Sequence, residues 1–149
     1  MSKLTRKVCC WLIRPKDIVR LRMPYPDMAS GLMRSHMYIC EQNDEYDKKL
    51  VKCQRFKNYM VTDDTNPITN GVKVTPGVGN PFKSTTVIDC DKHFFIEHVI
   101  IPTELIANQS IPQIDQSIFL QITEKVSSAA LITIDKQTFL RANYKCANI

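Results

Sequence analysis

Chemistry in this chain should be sought first at its three histidines, six cysteines and one closely spaced acidic pair. His36, His93 and His98 stand far apart, and Cys9, Cys10, Cys40, Cys53, Cys90 and Cys146 include no C-x-x-C pair. No zinc-type spacing results, and no metal is expected. Cys40, Cys53 and Cys90 sit in strand-like apolar runs, where a reduced thiol serves as a small hydrophobe. Asp89 and Asp91 are two apart and face the same way in a strand, an arrangement that either holds a metal or anchors a turn. Gly71, Gly77 and Gly79 fit no phosphate loop or dinucleotide fingerprint, and no G-x-S-x-G elbow occurs. No cofactor is expected. The remaining chemistry is charge. Residues 1–60 hold 13 Lys/Arg against 6 Asp/Glu, a net of +7, whereas residues 61–149 hold 7 against 9, a net of −2. A basic half suits a polyanion such as nucleic acid, unless its charges are spread around a solvated surface. Arg20, Arg22, Lys52, Arg55 and Lys57 are the candidate phosphate contacts. Tyr25, Phe56 and Tyr59 are candidates to stack on bases, or to serve as plain core or surface.

These residues need elements to position them. A chain of 149 residues, 44% apolar and 23% charged, fits a single soluble domain with a core of its own. No apolar run approaches the ~20 residues of a membrane span. The apolar stretch Val8 to Ile13 is too short for a signal-peptide core. The expectation is a cytoplasmic protein without a membrane partner. Val19 to Met23 alternates apolar and arginine residues, the pattern of a half-buried strand, and Pro24 stops it. Ser35 to Cys40 and Lys49 to Phe56 are further strands, separated by a polar turn over Glu41 to Lys48. Residues 62–81 are loop with one short edge strand at Val72 to Val74. Ser84 to Asp89, His93 to Ile96 and His98 to Ile101 follow as short β segments. After a short turn at Pro102 to Ile106, the period changes. Ile114, Ile118, Ile122 and Val126 recur every four residues, which predicts an amphipathic helix of about four turns with Pro112 near its first turn. A last helix is expected over Ile134 to Tyr144, capped by Asp135. The fold class expected is mainly β with C-terminal helices (α+β), one domain over 1–149. Its β part spans about 8–101 and its helical part about 102–149.

The run Asp17-Ile18-Val19-Arg20-Leu21-Arg22-Met23-Pro24-Tyr25-Pro26-Asp27, then Arg34-Ser35-His36-Met37-Tyr38-Ile39-Cys40, resembles the opening of the MazF/PemK toxins. Leu50 to Gln54 and Thr86 to Phe94 resemble later strands of that family, so the likeness covers roughly residues 16–106. The resemblance implies a small SH3-like barrel, a homodimer, and metal-independent cleavage of single-stranded RNA. It also implies a protein partner such as an antitoxin. Arg34 falls on the family arginine that steadies the phosphorane, a task suited to a guanidinium fork. His36, two residues on, shares its strand face and is a candidate acid or base, or else a surface histidine. Gln54 replaces the family threonine; glutamine can orient a phosphate but is a poor proton acceptor. Asp27, in the loop, is the remaining catalytic candidate. The proline that often follows the arginine is missing. The alternative is a non-catalytic module on the same barrel that binds nucleic acid or protein, such as an accessory or inhibitor protein of a mobile element.

Overall fold

The computed structural model describes residues 12–24, 34–44, 47–57 and 70–148, with the backbone alone for 42–44. Asp27, Tyr25 and Tyr59 lie outside the described residues, as do Cys9 and Cys10.

Strand β1 (Ile18–Arg22) begins where Asp17 ties two distant segments together. The buried Asp17 carboxylate accepts from Arg14 N at 2.7 Å and from Gln113 Nε2 at 2.8 Å. Arg20 and Arg22 are exposed, whereas Val19 and Leu21 are buried, as period-two alternation requires. Strands β2 (Ser35–Asp44) and β3 (Asp47–Arg55) form an antiparallel hairpin closing at Asp44 opposite Asp47. The polar stretch expected to be a turn over Glu41 to Lys48 is therefore mostly strand. Backbone groups pair whatever their side chains, so a polar hairpin arm extends as readily as an apolar one.

Strand β4 (Gly71–Val74) is short and, among the described residues, pairs with β5 alone, at the sheet edge. Strand β5 (Thr86–Ile96) runs through the two segments expected to be separate. Its register against β3 slips: Leu50 faces Phe94 and Lys52 faces Asp89. Four residues, 90–93, thus oppose the single Val51. This bulge reverses which face later side chains take, because the side-chain period is two. Ile88 and Cys90 enter one core and Phe94 and Ile96 the other. Asp91 N donates to Asp89 Oδ1 at 2.9 Å inside the bulge, so the acidic pair anchors a turn.

After β6 (Val99–Ile100) the chain passes along the free edge of β1. Ala107 N donates to Ile18 O and Ile18 N to Pro112 O, each at 2.9 Å. Pro112 is thus an edge partner of β1 and lies ahead of the helix. Helix α1 (Gln116–Lys125) is capped by Asp115, which accepts from Ser117 N, and it is shorter than the four turns expected. Strand β7 (Ala130–Thr133) pairs in parallel with the second half of β5. Helix α2 (Lys136–Ala142) is capped by Asp135, as the sequence predicts. Strand β8 (Ala147–Asn148) pairs with β6.

The result is an open mixed sheet, ordered β1-β2-β3-β5-β4 with β7 on β5, and helices in the C-terminal part. Both faces are covered. Ile114, Ile122 and Val126 from the α1 region pack on Ile18, Ile39, Val51 and Ile88. Phe139 of α2 packs with Val19, Leu21, Tyr38 and Phe94 on the other face. No helix among the described residues is long and apolar enough to cross a membrane.

Candidate functional site

Arg20 stands on the α1 face of β1, directly opposite Met37, which faces Cys53 in turn. Arg55 lies two residues further along β3, opposite Thr86. Two strand spacings and two residues separate Arg20 from Arg55, roughly 12 Å between Cα atoms. Helix α1 packs on this face against β4 and β5. Beyond it a cleft of about 360 Å³ opens, with Met37 and Cys53 among its lining. Arg20, Ala107 and Asn108 border one part of it, and Pro81, Lys83, Ser84, Gln54 and Arg55 the rest. No carboxylate lines it, and Arg20, Arg55 and Lys83 make no ion pair among the described residues.

Local structure explains why the borders hold their shape. Asn80 donates from Nδ2 to Thr75 O at 3.2 Å and accepts from Phe82 N at 3.1 Å. Phe82 is buried in the α1-side core, so Pro81 and Lys83 on either side of it are held at the rim. Thr86 Oγ1 donates to Ser84 O at 3.0 Å, and Phe56 N to Thr85 O at 2.9 Å. Across the cleft, Asn108 Oδ1 accepts from Ser110 N at 2.9 Å and Ile111 N at 3.2 Å, which folds that loop on itself.

A second groove of about 360 Å³ shares Arg20 and Ala107 with the first and runs past Arg22, Ser35, Glu104, Asn143, Tyr144 and Lys145. Asn143 acts there as a strand substitute. Its Oδ1 accepts from Arg22 N at 2.9 Å and its Nδ2 donates to Arg22 O at 2.7 Å.

Comparison of the chain with known protein families, curated proteins and solved structures finds no match.

Of the residues singled out from sequence, the structure gathers Arg20, Gln54 and Arg55 at the cleft and Arg20 and Arg22 at the adjoining groove. Arg34 is exposed and His36 half-buried; neither lines the cleft or the groove. His36 Nδ1 lies 3.3 Å from Arg34 O. The β2–β3 register, with Met37 opposite Cys53, sets His36 beside Gln54 one step further on. Lys57 is exposed beyond the end of β3 and lines neither cavity. Lys52 is a correction. It is only 8% exposed and faces Asp89, itself 6% exposed, so it belongs to the interior and offers no surface phosphate contact. Burial raises the Asp89 pKa, against the opposing pull of the Asp91 amide, Lys92 and Lys52. Phe56 is likewise not a free stacking surface: Lys73 Nζ sits 4.1 Å from its ring centroid.

Lys83, Ser84 and Asn108 were not singled out from sequence, nor were Asn143, Tyr144 and Lys145. Nothing local marks them, because they reach the site only through long-range pairing. The four thiols among the described residues stay out of the chemistry. Cys40, Cys53, Cys90 and Cys146 are free and buried, and burial pushes Cys40, Cys90 and Cys146 up to about 12 and Cys53 higher still. Such thiols are poor nucleophiles at neutral pH. Among the described residues no three His, Cys, Asp or Glu side chains come together as a metal site.

Proposed function

We propose that this protein is a nucleic-acid-binding module whose cationic cleft takes the backbone of single-stranded RNA. The single observation that carries this reading is the grouping of Arg20, Arg55 and Lys83 around a concave surface that no carboxylate among the described residues lines. Unpaired cations around a groove repel one another and are stabilised by an anion. Guanidinium groups also match phosphate oxygens two at a time. Gln54, Ser84 and Asn108 add neutral polar groups at the rim. A chain of phosphates uses several such positions at once, whereas a lone small anion uses one. The resemblance to MazF/PemK toxins adds the choice of RNA, the SH3-like description of the bulged sheet, a cytoplasmic homodimer and a regulatory protein partner.

The test is fluorescence anisotropy of labelled single-stranded RNA across a range of salt. Binding should weaken steeply as salt rises, because each neutralised phosphate contributes a slope of about −0.7 in log K against log salt. Salt-insensitive binding, or none, would turn the reading toward a protein partner.

A second reading, metal-independent RNA cleavage, is favoured by the neighbouring positions of His36 on β2 and Gln54 on β3, with Arg34 just ahead of β2. The 2′-hydroxyl would give its proton to His36 as its oxygen bonds to phosphorus. Arg34 would steady the phosphorane, and the departing 5′-oxygen would take a proton from water. Specific RNA fragments formed in EDTA and lost in Arg34→Ala would support it. Intact RNA would leave the binding module standing alone.

A further inference from the structure

The groove beside α2 holds a feature that the cationic cleft does not need. Tyr144 is 82% exposed, one of the most open large side chains among the described residues. Yet its mounting is tightly held. Asn143, the residue before it, is buried, and its carboxamide bonds both backbone groups of Arg22 and also donates to Phe139 O at 3.0 Å. Cys146 N then donates to Asn143 O at 2.8 Å, closing a turn with Tyr144 and Lys145 at its tip. Cys146 at the far end is buried in the α2-side core. An aromatic ring on a fixed backbone, with two side-chain torsions, loses little entropy when it takes a ligand.

The charge beside it is positive. Among the described residues, Arg20, Arg22 and Lys145 line this groove against the carboxylate of Glu104. Arg20 and Ala107 belong to both cavities, so a ligand strand leaving the cleft passes Arg20 into the groove. Ring and cations together are what unpaired nucleotides require: a flat face for the base and positive charge for the backbone. A peptide partner would use the ring but not the cations on both sides of Arg20.

We propose that the two cavities form one path and that Tyr144 is its stacking platform, taking an unpaired base of a single-stranded nucleic acid whose backbone crosses Arg20. This rests on the reading of the cleft as an RNA-binding surface.

The test uses the full chain and oligouridine of about 12 nucleotides, long enough to cover both cavities. Stacking removed by alanine is worth about 1–3 kcal/mol per base, so Tyr144→Ala should weaken binding roughly five- to hundred-fold. Tyr144→Phe should bind like the native protein, and the salt slope should not change in either variant, since no phosphate contact is lost. Lys145→Ala should instead reduce the slope by about 0.7. If Tyr144→Ala binds as tightly as the native chain while Arg55→Ala still weakens binding, the platform is overturned and the cleft stands. If the native chain binds no oligonucleotide, the cleft reading fails and the platform with it. Because Tyr144 is exposed, thermal unfolding of the variants should match the native chain, so a binding loss is not a folding loss.

Discussion

Two regions of the same sheet treat charge in opposite ways. Around the β5 bulge the ionisable side chains are taken inside and set beside one another. His93 Nδ1 lies 3.0 Å from Glu41 Oε2, with 12% and 10% of the two side chains exposed. Lys48 is fully buried, and burial lowers its pKa against the pull of Cys40 and Asp47. Lys52 faces Asp89 across the ladder. At the other end Arg20, Arg55 and Lys83 border an open cleft that no carboxylate among the described residues lines. Lys52 and Arg55 are three residues apart on one strand and fall on opposite sides of this division. Interior ionisable groups are bound up with the fold, since a buried polar or charged group is tolerated only with partners. Unmatched exposed charges do nothing for stability and are available to a ligand. Counting cations in the basic half cannot separate the two kinds; position in the ladder does.

Substitutions in the closed region should therefore act on folding, and those at the open end on binding. The largest effect belongs to the fully buried Phe139, where alanine should cost about 3–5 kcal/mol in chemical denaturation. Its effect on RNA affinity should track only the folded fraction. Next is Glu41→Ala, which leaves half-buried His93 without its carboxylate and should cost about 1–3 kcal/mol. Arg55→Ala, at the open end, should stay within about 0.5 kcal/mol of native stability. Equal losses in Glu41→Ala and Arg55→Ala would erase the distinction.

A smaller effect follows from Asp89. Its folded pKa is raised above the ordinary value of 3.8, so the folded state holds the proton longer than the unfolded chain. Native stability therefore falls as pH climbs from that value through the raised one. Asp89→Asn lacks the titration and keeps an acceptor for Asp91 N. It should gain stability relative to the native protein across that window, measured by denaturant titration at successive pH values. A constant difference would mean that Asp89 is not desolvated in the folded state.

How far the sequence reveals this division varies with the range of the interaction. The alternation of Val19 to Met23 shows β1, and Asp135 shows the start of α2, because strand period and helix caps are local. The edge strand at Val72 to Val74 is likewise visible between turn residues. The four-residue bulge in β5 is not, since it exists only against β3. Nor is β7, whose parallel pairing needs the long crossover through α1. At the site, Arg20, Arg22 and Arg55 are readable as exposed cations on strands. Lys52 looks the same in sequence, and only its register opposite Asp89 shows that it is interior. Lys83 and Tyr144 carry no local signal. Burial of Phe82 places the first and the Asn143 clamp on Arg22 places the second.

If the open cations meet phosphates, removing two of them must change how binding responds to salt. Single-stranded RNA affinity is followed against salt for the native chain and for the double variant Arg55→Ala/Lys83→Ala. Two lost phosphate contacts should flatten the slope of log K against log salt by about 1.4 and weaken binding at low salt, with the unfolding midpoint unchanged. Identical slopes for the two proteins would contradict the assignment of the cleft.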